Sequence, residues 1–124
     1  MNLGRLLVVD DEAPLRSTLA SHLREIGHEV LEVDSATTAL NHVKEFDPDI
    51  VLTDVKMPGM DGFELTAHLR GMEHFAQLPI IVVSTRDRPD DRLRGLKVGA
   101  DAYLTKQSLD AGELVDLVRR LSGR

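Results

Sequence analysis

Ile50-Val51-Leu52-Thr53-Asp54-Val55-Lys56-Met57-Pro58-Gly59-Met60-Asp61-Gly62 is the stretch around which the chain is organised. Its apolar run, Ile50 to Leu52, reads as a strand buried on both faces. The run ends in a carboxylate, Asp54. Pro58 and Gly59 are turn residues, and Asp61-Gly62 closes the loop and opens a helical pattern. In an open parallel sheet, ligands bind at the carboxyl ends of the strands. A carboxylate there stands on a rigid support, so the stretch reads as one that presents Asp54 for chemistry.

The same grammar recurs on either side. Leu6-Leu7-Val8-Val9 is a second two-sided strand, ending in Asp10-Asp11-Glu12. Pro14 suits the first turn of a helix, whose face is Leu15, Leu19, Leu23 and Ile26, and Gly27 is its left-handed cap. Glu29 to Val33 reads as a strand nearer an edge. Ser35 caps a helix with Ala36, Ala39, Leu40 and Val43 inward, and Pro48 stops it. After Gly62 a helix runs to about Arg70 on Phe63, Leu65 and Leu69, and Gly71 breaks it. Pro79 precedes the strand Ile80-Ile81-Val82-Val83, which ends in Ser84-Thr85. Pro89 opens a helix with Leu93, Leu96 and Ala100 inward. Ala102-Tyr103-Leu104 is a fifth strand, ending in Thr105-Lys106. Asp110 and Glu113 form a capping box for the last helix, and Leu109 with Leu114 a hydrophobic staple. Leu114, Leu117, Val118 and Leu121 are its core stripe. Five buried strands alternating with amphipathic helices predict an α/β fold: a (βα)5 doubly wound parallel sheet with helices on both faces.

Composition narrows the function. The 124 residues make one domain, residues 1–124, large enough for a core without staples. With aromatics at 3%, that core is aliphatic. There is no cysteine, hence no disulfide, thiolate nucleophile or zinc–thiolate site. The net charge of −6 and the lack of a basic tract argue against direct nucleic-acid binding. No signal-peptide layout and no apolar run of membrane-spanning length appear. The expectation is a cytoplasmic protein with no membrane insertion.

The polar residues of interest fall at strand ends: Asp10 and Asp11, Asp54, Ser84 and Lys106. In a sheet of order 2-1-3-4-5, strands one and three are neighbours at the switch point. Asp10, Asp11 and Asp54 then converge. Carboxylates that close repel one another unless a cation joins them. With oxygen ligands only, Mg²⁺ is the natural choice, and it favours a phosphate oxygen as a further ligand. Lys106 adds a point charge for a phosphoryl oxygen, and Ser84 a neutral hydrogen bond. Each piece alone has a plainer reading. The acids suit a helix N-terminus, Asp54 and Ser84 suit turns, Lys106 suits solvent and Tyr103 suits packing. Together they are the equipment for phosphoryl transfer to Asp54.

At this point the chain resembles a response-regulator receiver domain of two-component signalling. The resemblance rests on Leu7-Val8-Val9-Asp10-Asp11-Glu12, on the Leu52 to Gly62 stretch, on Ser84, on Gly99-Ala100-Asp101 and on Tyr103-Leu104-Thr105-Lys106. It covers essentially the whole chain and implies a flavodoxin-like fold. It implies Asp54 as phosphoacceptor, and Asp10, Asp11, Asp54 and the Lys56 carbonyl as Mg²⁺ ligands. Ser84 and Lys106 become phosphoryl contacts, and Ser84 with Tyr103 the switch pair. The partners implied are a histidine kinase or histidine phosphotransfer protein, and a downstream protein target. With no output domain expected, output is protein contact through the fourth helix, fifth strand and fifth helix. Such a module catalyses only its own phosphorylation and dephosphorylation.

One departure is that Gln107 follows Lys106 where the family usually has proline. A non-proline cis bond costs about 2.5–4 kcal/mol, so a trans Lys106–Gln107 peptide is expected. The segment Lys106-Gln107-Ser108-Leu109-Asp110 resembles receivers appended to chemotaxis-type histidine kinases. Two long cations, Lys56 and Arg86, flank the line by which water reaches a phosphoaspartate, and predict a long-lived one. Two other functions share parts of this set. A phosphatase of the haloacid-dehalogenase type wants a second acid where Lys56 stands. A flavodoxin-like FMN carrier wants a Ser/Thr/Gly-rich loop where Asp10-Asp11-Glu12 would repel a phosphate.

Overall fold

Strands with no polar alternation cannot leave a face in water, and both faces of this sheet are covered. The computed structural model describes residues 4–84, 89–106 and 111–122. In chain order the elements are β1 (Arg5–Val9), α1 (Ala13–Glu25), β2 (Glu29–Val33), α2 (Ala36–Phe46), β3 (Ile50–Asp54) and α3 (Gly62–Arg70). A 3-10 turn (Glu73–Phe75) follows, then β4 (Ile80–Ser84), α4 (Pro89–Val98), β5 (Ala102–Thr105) and α5 (Ala111–Ser122). The strands form one parallel sheet in the order β2-β1-β3-β4-β5, as expected of a flavodoxin-like doubly wound fold.

Strand alternation sorts the core into layers. Leu7, Val9 and Val51 face α2 and α3, where Ala39, Val43, Leu65 and Leu69 close over them. Leu6, Val8, Ile50 and Leu52 face the other way, under Leu23 of α1 and Leu114 and Val118 of α5. A third cluster, Val55, Phe63, Val82, Ala100 and Tyr103, fills the corner beneath α4. Local signals agree with the elements. The Ser35 hydroxyl accepts from Thr38 N–H at 3.1 Å, and Gly27 stands at φ 110° where α1 gives way to β2.

Three details differ from expectation. Leu93 and Leu96 of α4 do not face inward: they are 51% and 61% exposed. Gly95 faces in instead, and a Cβ there would lie 3.2 Å from the Tyr103 ring. Gly71 ends α3 as expected, but a 3-10 turn that the sequence does not signal follows it and buries Phe75. Asp61 and Glu64 form a reciprocal capping box at α3, also unanticipated. The Asp110–Glu113 box, the Leu109 staple and the Lys106–Gln107 peptide lie outside the described residues.

Candidate functional site

β1 and β3 are neighbours, with Val9 opposite Thr53, so Asp10 and Asp54 leave the sheet side by side. Both are buried, at 3% and 5% exposure. Lys106 follows β5 and reaches across the strand ends. Its Nζ lies 3.0 Å from Asp10 Oδ2, 3.3 Å from Asp54 Oδ2 and 3.6 Å from Glu12 Oε1. The acids are oriented by backbone. Asp54 Oδ1 accepts from Val55 N–H at 2.8 Å, which leaves Oδ2 to the lysine, and Asp10 Oδ1 accepts from Glu12 N–H at 2.9 Å.

The carboxylate behind the ammonium is not at ease. Burial first, and then the Asp10 charge, push Asp54 up from 3.8 to about 6, against the pull of Lys106 and the Val55 N–H. Burial opposes the Lys106 charge too. There the hydrogen bond to Asp10 and the Asp54 and Asp10 charges outweigh it, and the ammonium is held above its ordinary range. One lysine among three acids leaves a net negative site. Asp10, Glu12 and Asp54 can each bring an oxygen within 4.8 Å of the others. That donor set, all oxygen and largely carboxylate, fits a hard divalent cation such as Mg²⁺.

Asp11 stands apart from that trio. It is exposed and lines, with Glu12, Asp54, Lys56, Met57 and Pro58, a cavity of about 390 Å³ over the acids. Sequence alone puts Asp11 in the converging set and gives no sign of Glu12. Three consecutive acids at a strand end show that a cluster exists; which of them points inward depends on the turn. Lys56 is exposed on the cavity rim. Ser84 is buried at the end of β4, opposite Thr105 and one residue past the Asp54–Val83 pair. Tyr103 is 8% exposed, its ring inward, with the Arg92 guanidinium 5.2 Å from the ring centre. Arg86 lies outside the described residues.

The backbone behind the site is equally tight. Gly62 N–H donates to Val55 O at 2.8 Å, and a Cβ on Gly62 would fall 2.0 Å from Asp54 O. α3 therefore starts against the carbonyl of the acid itself.

The raised Asp54 value has a consequence for stability. Folding favours the neutral acid, so Asp54 stabilises the fold below its unfolded value near 4 and loses that contribution as pH rises through about 6. Above that range the fold carries a buried anion facing Asp10, with Lys106 as partial compensation. In Mg²⁺-free buffer, Asp54→Asn is therefore expected to be more stable than wild type at pH 7.5. The gain is about 1–2 kcal/mol, below the ~3 kcal/mol ceiling that the full rise implies, and it shrinks towards pH 5. Urea midpoints of both proteins at the two pH values check this; a difference that does not change with pH rules it out.

The sequence and the fold resemble those of known proteins. The response regulator receiver domain family matches residues 6–119. A gliding motility regulatory protein of Myxococcus xanthus is 38% identical over 118 residues, 95% of this chain but 15% of that protein. Protein PilH of Pseudomonas aeruginosa is 35% identical over 104 residues, 84% of this chain and 86% of PilH. The signal receiver domain of a signal transduction histidine kinase from Syntrophus aciditrophicus superposes with a TM-score of 0.89 at 31% identity, covering 97% of this chain and 90% of that one. The chain spans a small part of the Myxococcus regulator and most of PilH. Sequence, sheet order and the acids at the strand ends thus converge on one conclusion: the chain belongs to the response regulator receiver domain family of two-component signalling.

Proposed function

We propose that residues 1–124 act as one receiver unit, and that Asp54 accepts a phosphoryl group from a phosphohistidine on a histidine kinase or phosphotransfer protein. The observation that carries this is the Lys106 ammonium at 3.3 Å from Asp54 Oδ2. It marks the place where a phosphoryl oxygen gains a fixed positive partner. Asp54 Oδ2 attacks phosphorus in line with the leaving imidazole. The new O–P bond forms as the P–N bond breaks, and the imidazole takes its proton from solvent. Lys106 then moves from the carboxylate to a phosphoryl oxygen, and the Ser84 hydroxyl donates to another. Asp10, Asp11, Asp54 and the Lys56 carbonyl, joined by Glu12 on the cluster observed, would hold Mg²⁺, which neutralises charge on the phosphoryl oxygens. The chain catalyses only its own phosphorylation and dephosphorylation. Acetyl phosphate with Mg²⁺ tests the reading by intact mass: one phosphoryl is gained, and none when Mg²⁺ is chelated.

Lys56 and Arg86 guard the phosphoaspartate. Lys56 stands on the rim of the cavity over Asp54, and its side chain has donors but no acceptor with which to orient water. Lys56→Asn with Arg86→Glu is expected to shorten the phosphoaspartate lifetime several-fold, followed as loss of the mass increment. Equal decay in wild type and double mutant would show that neither side chain shields the site.

Output is proposed to leave through α4, β5 and α5, towards a downstream protein. Leu93 and Leu96 already stand in solvent there, beside the exposed Arg92, Arg94 and Lys97. The inward Tyr103 pairs with Val82 in the β4–β5 ladder, two residues before Ser84. Beryllofluoride, a phosphoryl mimic, is expected to move amide resonances in α4, β5 and α5. Shifts confined to α1 and α2 would count against this route. Among the described residues no helix is long and apolar enough to cross a membrane. The reading remains a cytoplasmic module without direct nucleic-acid contact. The Myxococcus relative and the Lys106 to Asp110 resemblance support a motility or chemotaxis-type pathway.

A further inference from the structure

Asp10 commits every polar atom it has. Its N–H donates to Val33 O at 3.1 Å, Oδ1 accepts from Glu12 N–H at 2.9 Å, and Oδ2 meets Lys106 Nζ at 3.0 Å. The remaining atom is its carbonyl oxygen, which accepts from Arg16 Nη1 at 2.8 Å. The first three bonds belong to the strand ends and the site. The fourth comes from a side chain on α1.

That carbonyl is half of the peptide plane joining Asp10 to Asp11. A peptide group is rigid, so fixing the direction of C=O also fixes the direction of the Asp11 N–H and the departure of the Asp11 backbone. Asp11 itself sits on the cavity rim in a loop, outside any strand or helix. Arg16 is held in turn. Its Nε lies 3.4 Å from Glu32 Oε1 on β2, and Glu32 accepts further bonds from Ser17 Oγ at 3.3 Å and Arg24 Nη1 at 2.9 Å. Both partners of the Arg16–Glu32 pair are largely sheltered, at 18% and 21% side-chain exposure. A sheltered, multiply bonded guanidinium is a precise tool for aiming a carbonyl.

We propose that Arg16, braced by Glu32, is a positioning residue for the carboxylate site: it holds the Asp10–Asp11 peptide plane so that Asp11 faces the bound cation. The inference rests on the reading of Asp11 as a metal ligand. Its rival is that Arg16 merely fastens α1 to β2. The structure supplies a control for that rival. Arg24 also reaches from α1 to Glu32, and on to Val30 O at 2.9 Å, without touching Asp10.

The test is the Mg²⁺ dissociation constant, measured by isothermal titration calorimetry on folded protein. Arg16→Met keeps the aliphatic stem and removes the donors; Arg24→Met does the same to the control. Groups that orient metal ligands from behind change affinity by roughly 10–100-fold. Arg16→Met is expected to weaken Mg²⁺ binding about tenfold, and Arg24→Met to leave it within about twofold. Equal effects of the two changes, large or small, overturn the proposal. Asp11→Asn separates the two layers of the argument. If it abolishes binding while Arg16→Met does not weaken it, Arg16 is only a brace. If it leaves binding intact, the reading of the metal site fails and takes this inference with it.

Discussion

Asp54→Asn is expected to remain unmodified after incubation with acetyl phosphate and Mg²⁺, under conditions in which wild type gains one phosphoryl group. The substitution changes little in shape, so it isolates chemistry from folding. An amide oxygen is a poor nucleophile towards phosphorus, and removing the nucleophile of a covalent step costs at least about a thousandfold in rate. The neighbourhood sharpens the test, because Asp10 and Glu12 lie within reach of the same cation. If either carboxylate were the true acceptor, Asp54→Asn would still gain mass at the wild-type rate, and peptide mapping would find the group on the β1–α1 loop. That outcome would sink the assignment of Asp54. The same variant is predicted to be more stable than wild type at neutral pH. Lost phosphorylation could then not be blamed on a damaged fold.

Gly62→Ala is expected to act in the opposite manner, through the fold. Its Cβ would stand 2.0 Å from Asp54 O, 2.9 Å from Asp54 C and 3.1 Å from Val55 Cα. All three are backbone atoms, which cannot swing aside as a side chain can. Relief requires α3 to retreat from the sheet, breaking the Gly62 N–H bond to Val55 O and loosening Phe63 and Leu65 beneath it. Overpacking in a core commonly costs 1–3 kcal/mol, and a backbone clash of this depth belongs above that range, at about 3–5 kcal/mol. Since small domains hold roughly 5–15 kcal/mol in all, most of the margin is at risk. A urea melt measures it; a loss under about 1 kcal/mol would mean that α3 can slide outward freely.

How much was legible beforehand depends on what kind of signal each part leaves. Leu6 to Val9 and Ile80 to Val83 have no polar alternation, and apolar runs this short, bounded by turn residues, read as strands covered on both sides. The parallel sheet and its switch point followed from that. Asp10, Asp54 and Lys106 were legible because a strand end is a definite place. α4 was not. Ala100, just past the helix, is buried as expected, but Leu93 and Leu96 recur with helical spacing, and so do Asp91, Gly95 and Val98. Periodicity reports that a helix has faces, while the choice of face was made by Gly95, whose value is the room it leaves for Tyr103. Glu12 was missed for a related reason: Glu12 N–H turns back to Asp10 Oδ1, and a run of acids in a loop does not reveal such a turn. The 3-10 turn at Glu73–Phe75 left no pattern long enough to read.

The buried ring of Tyr103 has one more consequence, an optical one. The chain contains no tryptophan and a single tyrosine. Excited beyond the phenylalanine absorption band, its emission therefore originates at one site, in the corner between β5 and α4, with a guanidinium over the ring. Any event that turns the ring outward, or shifts Arg92 off its face, changes intensity at that site alone. The protein is thus its own unlabelled sensor: with Mg²⁺ and a phosphodonor in the cuvette, a fluorimeter follows the proposed output surface in real time.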